Sequence, residues 1–471
     1  MNLRLSLLFS SLILMLLSSC GEVSKMLGQK PIDGDHSTMV SIVNTGTPKT
    51  YKLHDPDCRE ENAVADLGTR SIWTYVDGKI QLVRVDLSGF SGKGLASKFI
   101  KNSYFDSRIS LGYDCEISPT SQKCRSGNGY TQGQQLNFCG ANKIYPRSSV
   151  ENAALSAAYG MKKAYLMQQK IDPKKVLEKI TFEVFPISTI KIIQRTEDNG
   201  ELIEHHETRI MTDNAYWSFN KSEDNKSGNS YIAIIPHSEE RDLLFPIKLW
   251  EQPAVMSHEF GHHIFHNYAP SVAVKNSIVG LYFYDDAVNN TQRTKVFDKA
   301  LSALNEGVAD KWSHISFESG NDPMGQWTLR NRDVNKEDFD TGTAKKLDHY
   351  PLGVYFGAYS ASSLSNDVNY TDEHMIGAIT AHGITKLLSI KFKDKAQSLY
   401  STVETYIGSE VLSWLKSMEY LITTDDGFDY YDGQTTMNVL LKPIFDKHSE
   451  PSQCSVIKQV FPLSVNYNKC R

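Results

Sequence analysis

Two histidines four residues apart, with a glutamate directly after the first, could hold a metal ion and activate water beside it. They stand in the segment Val255-Met256-Ser257-His258-Glu259-Phe260-Gly261-His262-His263. On an α-helix, positions i and i+4 project from one face, so His258 and His262 can direct two imidazoles at one ion, at about 2.0–2.1 Å for zinc. Glu259 lies one step round the helix, which suits its carboxylate to hold a water molecule rather than the ion. Pro253 fits the first turn of such a helix and Pro270 marks its end. His266 lies about 12 Å along the helix from His258, at 1.5 Å per residue, and cannot share the same ion.

A catalytic zinc takes a third protein ligand and leaves one position open. The metzincin extension would require Gly at 265 and His at 268, where this chain has Phe265 and Tyr268. A better source lies downstream, in Ala303-Leu304-Asn305-Glu306-Gly307-Val308-Ala309-Asp310-Lys311-Trp312. Its apolar positions recur at helical spacing, and Glu306 and Asp310 are again i and i+4. Unpaired acids fit poorly in such a buried-looking context. Glu306 can therefore supply the third ligand, while Asp310 can accept the N–H of a ligand imidazole and fix its tautomer.

At His258, Glu259, His262, Glu306 and Asp310 the chain resembles the thermolysin-like gluzincins, zinc metallopeptidases in which H-E-x-x-H is followed by N-E-x-x-x-D. Asn214-Ala215-Tyr216-Trp217 resembles the N-A-[FY]-[WY] segment of that family, an exposed edge strand upstream of the zinc helix. An edge strand presents free N–H and C=O groups to an extended peptide, so the resemblance implies that Asn214 and Ala215 contact the substrate backbone. It spans about residues 145 to 400 and implies an α+β, zincin metallopeptidase-like catalytic domain. That domain would carry a mixed sheet with an edge strand, an active-site helix and a mainly helical C-terminal part. It further implies one catalytic Zn2+ and a polypeptide substrate. The chain departs from the family in a 44-residue gap between His262 and Glu306, which places an insertion at about Val272 to Phe297. For the family's late histidine, which stabilises the transition state, the nearest match is His374 in Asp372-Glu373-His374-Met375-Ile376-Gly377. His382 competes with it, and Tyr282, Tyr284 or Tyr355 could serve the oxyanion instead. Relatives bind Ca2+; the acidic stretches Asp333 to Asp340 and Asp425 to Asp432 are candidates, without EF-hand spacing.

The elements that must position these groups occupy most of a 471-residue chain that is 40% hydrophobic and 22% charged, which excludes a disordered or low-complexity protein. A net charge of -5 leaves no global basic field for nucleic acid. Residues 1–19 read as a signal peptide, with Arg4 as its charge and a mainly apolar run from Leu5 to Leu17 too short to span a bilayer. Leu17-Ser18-Ser19-Cys20 resembles the bacterial lipobox. It implies lipidation of Cys20, residues 20–48 as lipidated Cys and tether, and an outer-membrane lipoprotein of the bacterial cell envelope, facing periplasm or cell surface. Residues 49–145 read as a small β-rich, disulfide-stapled domain, with a hairpin turning at Asp77-Gly78, and it stands either as a propeptide or as a permanent accessory domain. Residues 146–471 read as the catalytic domain, β-rich to about 250 and helical after. Within it a helix is predicted from Ser149 to about Gln169, and strands at Lys179 to Phe185, Ile190 to Gln194, Thr208 to Phe219 and Tyr231 to Ile235. Cys58, Cys115, Cys124, Cys139, Cys454 and Cys470 form an even set in an exported chain; Cys454 and Cys470, alone near the C-terminus, are the expected disulfide. The pairing among the other four stays open, as does the oligomeric state. Two further readings share these motifs: a non-catalytic binding or structural lipoprotein on the same scaffold, and an amidase of cell-wall peptides.

Overall fold

The computed structural model describes residues 66–76, 79–91, 105–109, 113–118, 121–126, 146, 149–178, 180–184, 189–198, 201–210, 215–221, 228–234, 249–270, 292–317, 373–392, 400–424, 433–461 and 469–470. The segments read as signal peptide and tether, Cys20, Cys58, Cys139 and both acidic stretches read as calcium candidates lie outside these residues. The described chain has mixed α+β character, with long helices and small sheets.

Seven α-helices are described: α1 (Ser149–Ile171), α2 (Pro253–Tyr268), α3 (Gln292–Ser316), α4 (Glu373–Ser389), α5 (Tyr400–Thr424), α6 (Gly433–Lys447) and α7 (Pro451–Val460). Helix α2 begins on the predicted proline. Helix α3 starts earlier than its apolar periodicity alone indicates, so residues 292–297 of the expected insertion are its first turns. From Leu301 to Trp312 almost every side chain of α3 is buried, which makes it the central helix of the body. Small residues allow this close packing. A Cβ at Gly261 of α2 would lie 2.6 Å from the Ala309 Cα of α3, and one at Gly160 of α1 would collide with the Pro253 carbonyl oxygen. Hydroxyls and an indole tie the same helices: Ser257 Oγ donates to Gly160 O (2.6 Å), Ser313 Oγ to Ala254 O (2.6 Å) and Trp312 Nε1 to Ala164 O (3.2 Å).

Strands β3 (Phe105–Ile109), β6 (Ile180–Val184), β10 (Gly228–Ile234) and β9 (Ala215–Lys221) form a mixed sheet in that order. The first three are parallel neighbours; β9 runs antiparallel to β10 and forms an edge, with Ala215 opposite Ile234. The run predicted as one strand at Thr208 to Phe219 is two strands: β8 (Glu201–Ile210) pairs with β7 (Thr189–Asp198), and β9 begins at Ala215. Hairpin β4 (Tyr113–Ser118) and β5 (Ser121–Ser126) places the backbone of Cys115 opposite Cys124.

Hairpin β1 (Thr69–Val76) and β2 (Lys79–Asp86) closes where predicted, with Val76 opposite Lys79. It docks on α1 through polar ties. Asn152 Oδ1 accepts from Trp73 N (2.7 Å), its Nδ2 donates to Trp73 O (3.0 Å), and Thr74 Oγ1 donates to Glu251 O (2.7 Å). The buried Lys162 ammonium is held by Asp86 Oδ2 (2.9 Å) and the Ser88 carbonyl (3.0 Å). Ile72, Val85, Leu87 and Phe90 join the core that α1, α2 and α3 share. The 49–145 segment thus contributes a hairpin to this core and β3 to the sheet. At the other end Cys454 and Cys470 are disulfide-bonded, with Cα atoms 5.2 Å apart.

Candidate metal centre

Helices α2 and α3 cross where Gly261 meets Ala309, and this contact brings the chemistry-bearing residues of both together. His258 Nε2 lies 3.1 Å from His262 Nε2 and 3.3 Å from Glu306 Oε2, and His262 Nε2 lies 3.7 Å from Glu306 Oε1. The two imidazoles stand edge to face at 88°, so their Nε2 lone pairs converge rather than stack. All three side chains are buried, and Glu259 is fully buried beside them. Ligand atoms of His258, Glu259 and His262 also lie within 4.8 Å of one another. A buried His–Glu–His group of this kind could hold a metal ion.

Two carboxylates stand at the imidazoles: Glu259, with an oxygen inside the same 4.8 Å group, and Glu306, with an oxygen 3.3 Å from His258 Nε2. Four ligands at about 2.0–2.1 Å on a tetrahedron stand about 3.3–3.4 Å from one another. The 3.1 Å between the two Nε2 atoms and the 3.3 Å from His258 Nε2 to Glu306 Oε2 lie close to that edge, while the other Glu306 oxygen, Oε1, stands 3.7 Å from His262 Nε2. Glu259 follows His258 on the same helix and projects about 100° round from it, which directs it to the flank of the group.

The far side of each imidazole is held as well. Asp310 Oδ1 lies 2.8 Å from His258 Nδ1, the partner that its spacing from Glu306 predicts. Asn305 Oδ1 lies 3.0 Å from His262 Nδ1. With Nδ1 of His262 turned to the Asn305 amide oxygen and Nδ1 of His258 in contact with the Asp310 carboxylate, the Nε2 atoms are the ones that face each other and Glu306. Sequence reasoning assigned no role to Asn305. Its signal was present as the first letter of N-E-x-x-x-D, but a role for it required knowing which imidazole α3 faces.

A second layer surrounds the histidines. The Trp217 ring of edge strand β9 lies 6.3 Å from the His262 ring and 5.6 Å from that of His266. His266 is not near the ligand group; it is buried and pairs through Nε2 with Glu178 Oε2 at 3.2 Å. The hydrogen bond from His266, against the effect of burial, holds the Glu178 carboxyl below its ordinary value. Burial, reinforced by His266, pushes His263 down to about 3, so this imidazole stays neutral and donates through Nε2 to Glu178 O (3.0 Å). Neither His263 nor Trp217 was singled out as part of the site from its spacing.

Ala215 begins β9 and its methyl is buried, while Asn214 lies outside the described residues. His374 occupies the first turn of α4. Three residues on, Gly377 packs so closely on α3 that a Cβ there would lie 2.7 Å from Gly307 N and 2.8 Å from Glu306 Cβ. The start of α4 therefore sits at the turn of α3 that carries Glu306. His382 lies farther along α4 and is half-buried; Tyr282, Tyr284 and Tyr355 are outside the described residues. Comparison with protein-family models, with curated proteins and with solved structures found no match.

Proposed function

We propose that the chain is a lipid-anchored, exported zinc endopeptidase with a gluzincin-like, zincin-type catalytic domain. The observation that carries this reading is that the His258 and His262 Nε2 atoms, 3.1 Å apart, both face the Glu306 carboxylate, whose Oε2 lies 3.3 Å from the first and Oε1 3.7 Å from the second, with each imidazole Nδ1 facing an oxygen of α3. Zinc is the ion such a set of two neutral imidazoles and one carboxylate fits, and when bound it polarises a carbonyl and lowers the pKa of water toward about 7.

The chain's own residues do the rest. Glu259 accepts the proton of the attacking water and delivers it to the leaving amine, as its burial beside His258 and His262 allows. Edge strand β9 takes an extended polypeptide as an added strand, through the backbone of Asn214 and Ala215. His374, at the start of α4, donates to the developing oxyanion. Cys20 carries the lipid that holds the protein in the outer membrane; incorporation of labelled palmitate by wild type and not by Cys20→Ala is the expected result, and equal labelling would contradict the anchor.

The enzyme reading is tested on the detergent-extracted full chain. Wild type and Glu259→Gln are both expected to hold about one zinc, with only wild type cleaving casein. A zinc-bound wild type that leaves casein intact and releases fragments from peptidoglycan would replace the endopeptidase by a wall amidase. Inertness toward both would leave a binding protein.

A further inference from the structure

Helix α3 carries a second cluster of titratable side chains, which meets α5 rather than α2. Lys311 directly follows Asp310, so it points about 100° round the helix from it. Its ammonium lies 3.5 Å from Glu404 Oε2 of α5, and His314, three residues on and on the same face, places Nε2 3.4 Å from Glu404 Oε1. Lys311 is 1% exposed and Glu404 3%. Burial opposes ionisation of Glu404, yet Lys311 and His314 together hold its carboxyl down to about 2. Burial pushes Lys311 down from its ordinary value, and Glu404 acts against that.

A buried ion pair of this length is a weak source of stability, because desolvating the two charges offsets most of their attraction. Apolar residues of similar volume would fill the same space. What an ion pair adds is direction. Elsewhere α3 is held by small-residue contacts, Ala309 on Gly261 and Gly307 on Gly377, and by the Ser313 and Trp312 hydrogen bonds, which tie it to α2, α4 and α1, whereas the Lys311–Glu404–His314 cluster ties it to α5. Rotation matters here. A turn of α3 by 10° moves a carboxylate about 6 Å from the helix axis by about 1 Å, and ligand positions must hold to about 0.2 Å.

We propose that Lys311, Glu404 and His314 are positioning residues: they lock the rotation of α3 against α5 so that Glu306, Asn305 and Asp310 all meet the imidazoles of α2. This inference rests on the metal-site reading above and adds residues that touch neither metal nor substrate.

The test compares full-length wild type with the double variant Lys311→Met/Glu404→Leu, which removes both charges and keeps the volume. Zinc affinity is read by competition with a chromogenic chelator, and melting temperature is read on the metal-free proteins. The expected result is a metal-free melting temperature within a few degrees of wild type and zinc binding weaker by about tenfold or more, the range seen when outer contacts of a metal site are lost. Zinc affinity within twofold of wild type would overturn the proposal. If the double variant does not fold, Glu404→Asp decides. It keeps the charge but shortens the reach, and it must weaken zinc binding several-fold, with wild-type affinity again overturning the proposal. A wild type that takes up no zinc fails differently: it removes the metal site itself, and this inference falls with it.

Discussion

His258 and His262 each use one ring nitrogen toward the centre of the site and the other toward α3, and the two outer partners differ. Asp310 serves His258 and Asn305 serves His262. Asn305→Ala and Asp310→Ala are each expected to weaken zinc binding by about 10- to 100-fold while leaving the helical content unchanged; chelator competition with circular dichroism checks this, and unchanged affinity for either variant would remove that residue from the site. The meeting of His258, His262, Glu306 and Asp310 was legible in the sequence because both pairs, 258/262 and 306/310, repeat at one helical turn. Asn305 was not legible, because its role depends on a contact 43 residues away. Glu404 was invisible for the same reason: it meets Lys311 only across two packed helices. Its carboxyl at about 2, against an ordinary 4.5, gives a pH dependence with a definite sign. Between these values the unfolded chain binds a proton that the folded one excludes, so stability present above pH 4.5 is lost as pH falls toward 2. In urea titrations of the metal-free proteins, wild type is expected to lose more stability over that interval than Lys311→Met/Glu404→Leu; parallel losses would contradict the assignment.

At the scale of elements, the site depends on helices that approach through glycine. Gly261 stands with Ala309, and Gly307 with Gly377, at distances where a methyl group would meet backbone rather than a movable side chain. Gly261→Ala is favoured by helix propensity by up to about 1 kcal/mol. The added Cβ, 2.6 Å from the Ala309 Cα, nonetheless forces α2 and α3 apart. The net expectation is destabilisation of about 1–3 kcal/mol by denaturant titration, with weakened zinc uptake; a variant as stable as wild type would show that the crossing is looser than described. Helix α2 was legible from Pro253 and the apolar spacing around the histidines, and α1 from its run of alanines. The first turns of α3 were not, because Gln292 to Lys299 is mostly polar and reads as loop. The split between β8 and β9 was also hidden, since both are rich in residues that suit strands and the break falls within one continuous run.

Over the whole molecule, the chain is organised around α3, with the histidine-bearing α2 on one face and the Glu404-bearing α5 on another. Two connections bind distant segments into this body. Strand β3 pairs in parallel with β6, from a segment that its short alternating runs and turns set apart as a small domain. Parallel pairing across such a separation leaves no local signature, because its partner is not the neighbouring strand. Hairpin β1–β2 did announce itself as a hairpin, but its docking depends on Asn152 and Lys162 of α1 and on the Glu251 carbonyl just before α2, each ordinary in its own sequence context. The disulfide of Cys454 and Cys470 was legible from isolation alone, since no other cysteine lies near that end. The central claim is that α2 and α3 together build a zinc site from two imidazoles and one carboxylate. X-ray absorption of the zinc-loaded full chain tests it most directly. The account predicts two imidazole ligands with nitrogen and oxygen donors at about 2.0–2.2 Å and no sulfur; a shell containing sulfur, or a chain that retains no zinc, would contradict it.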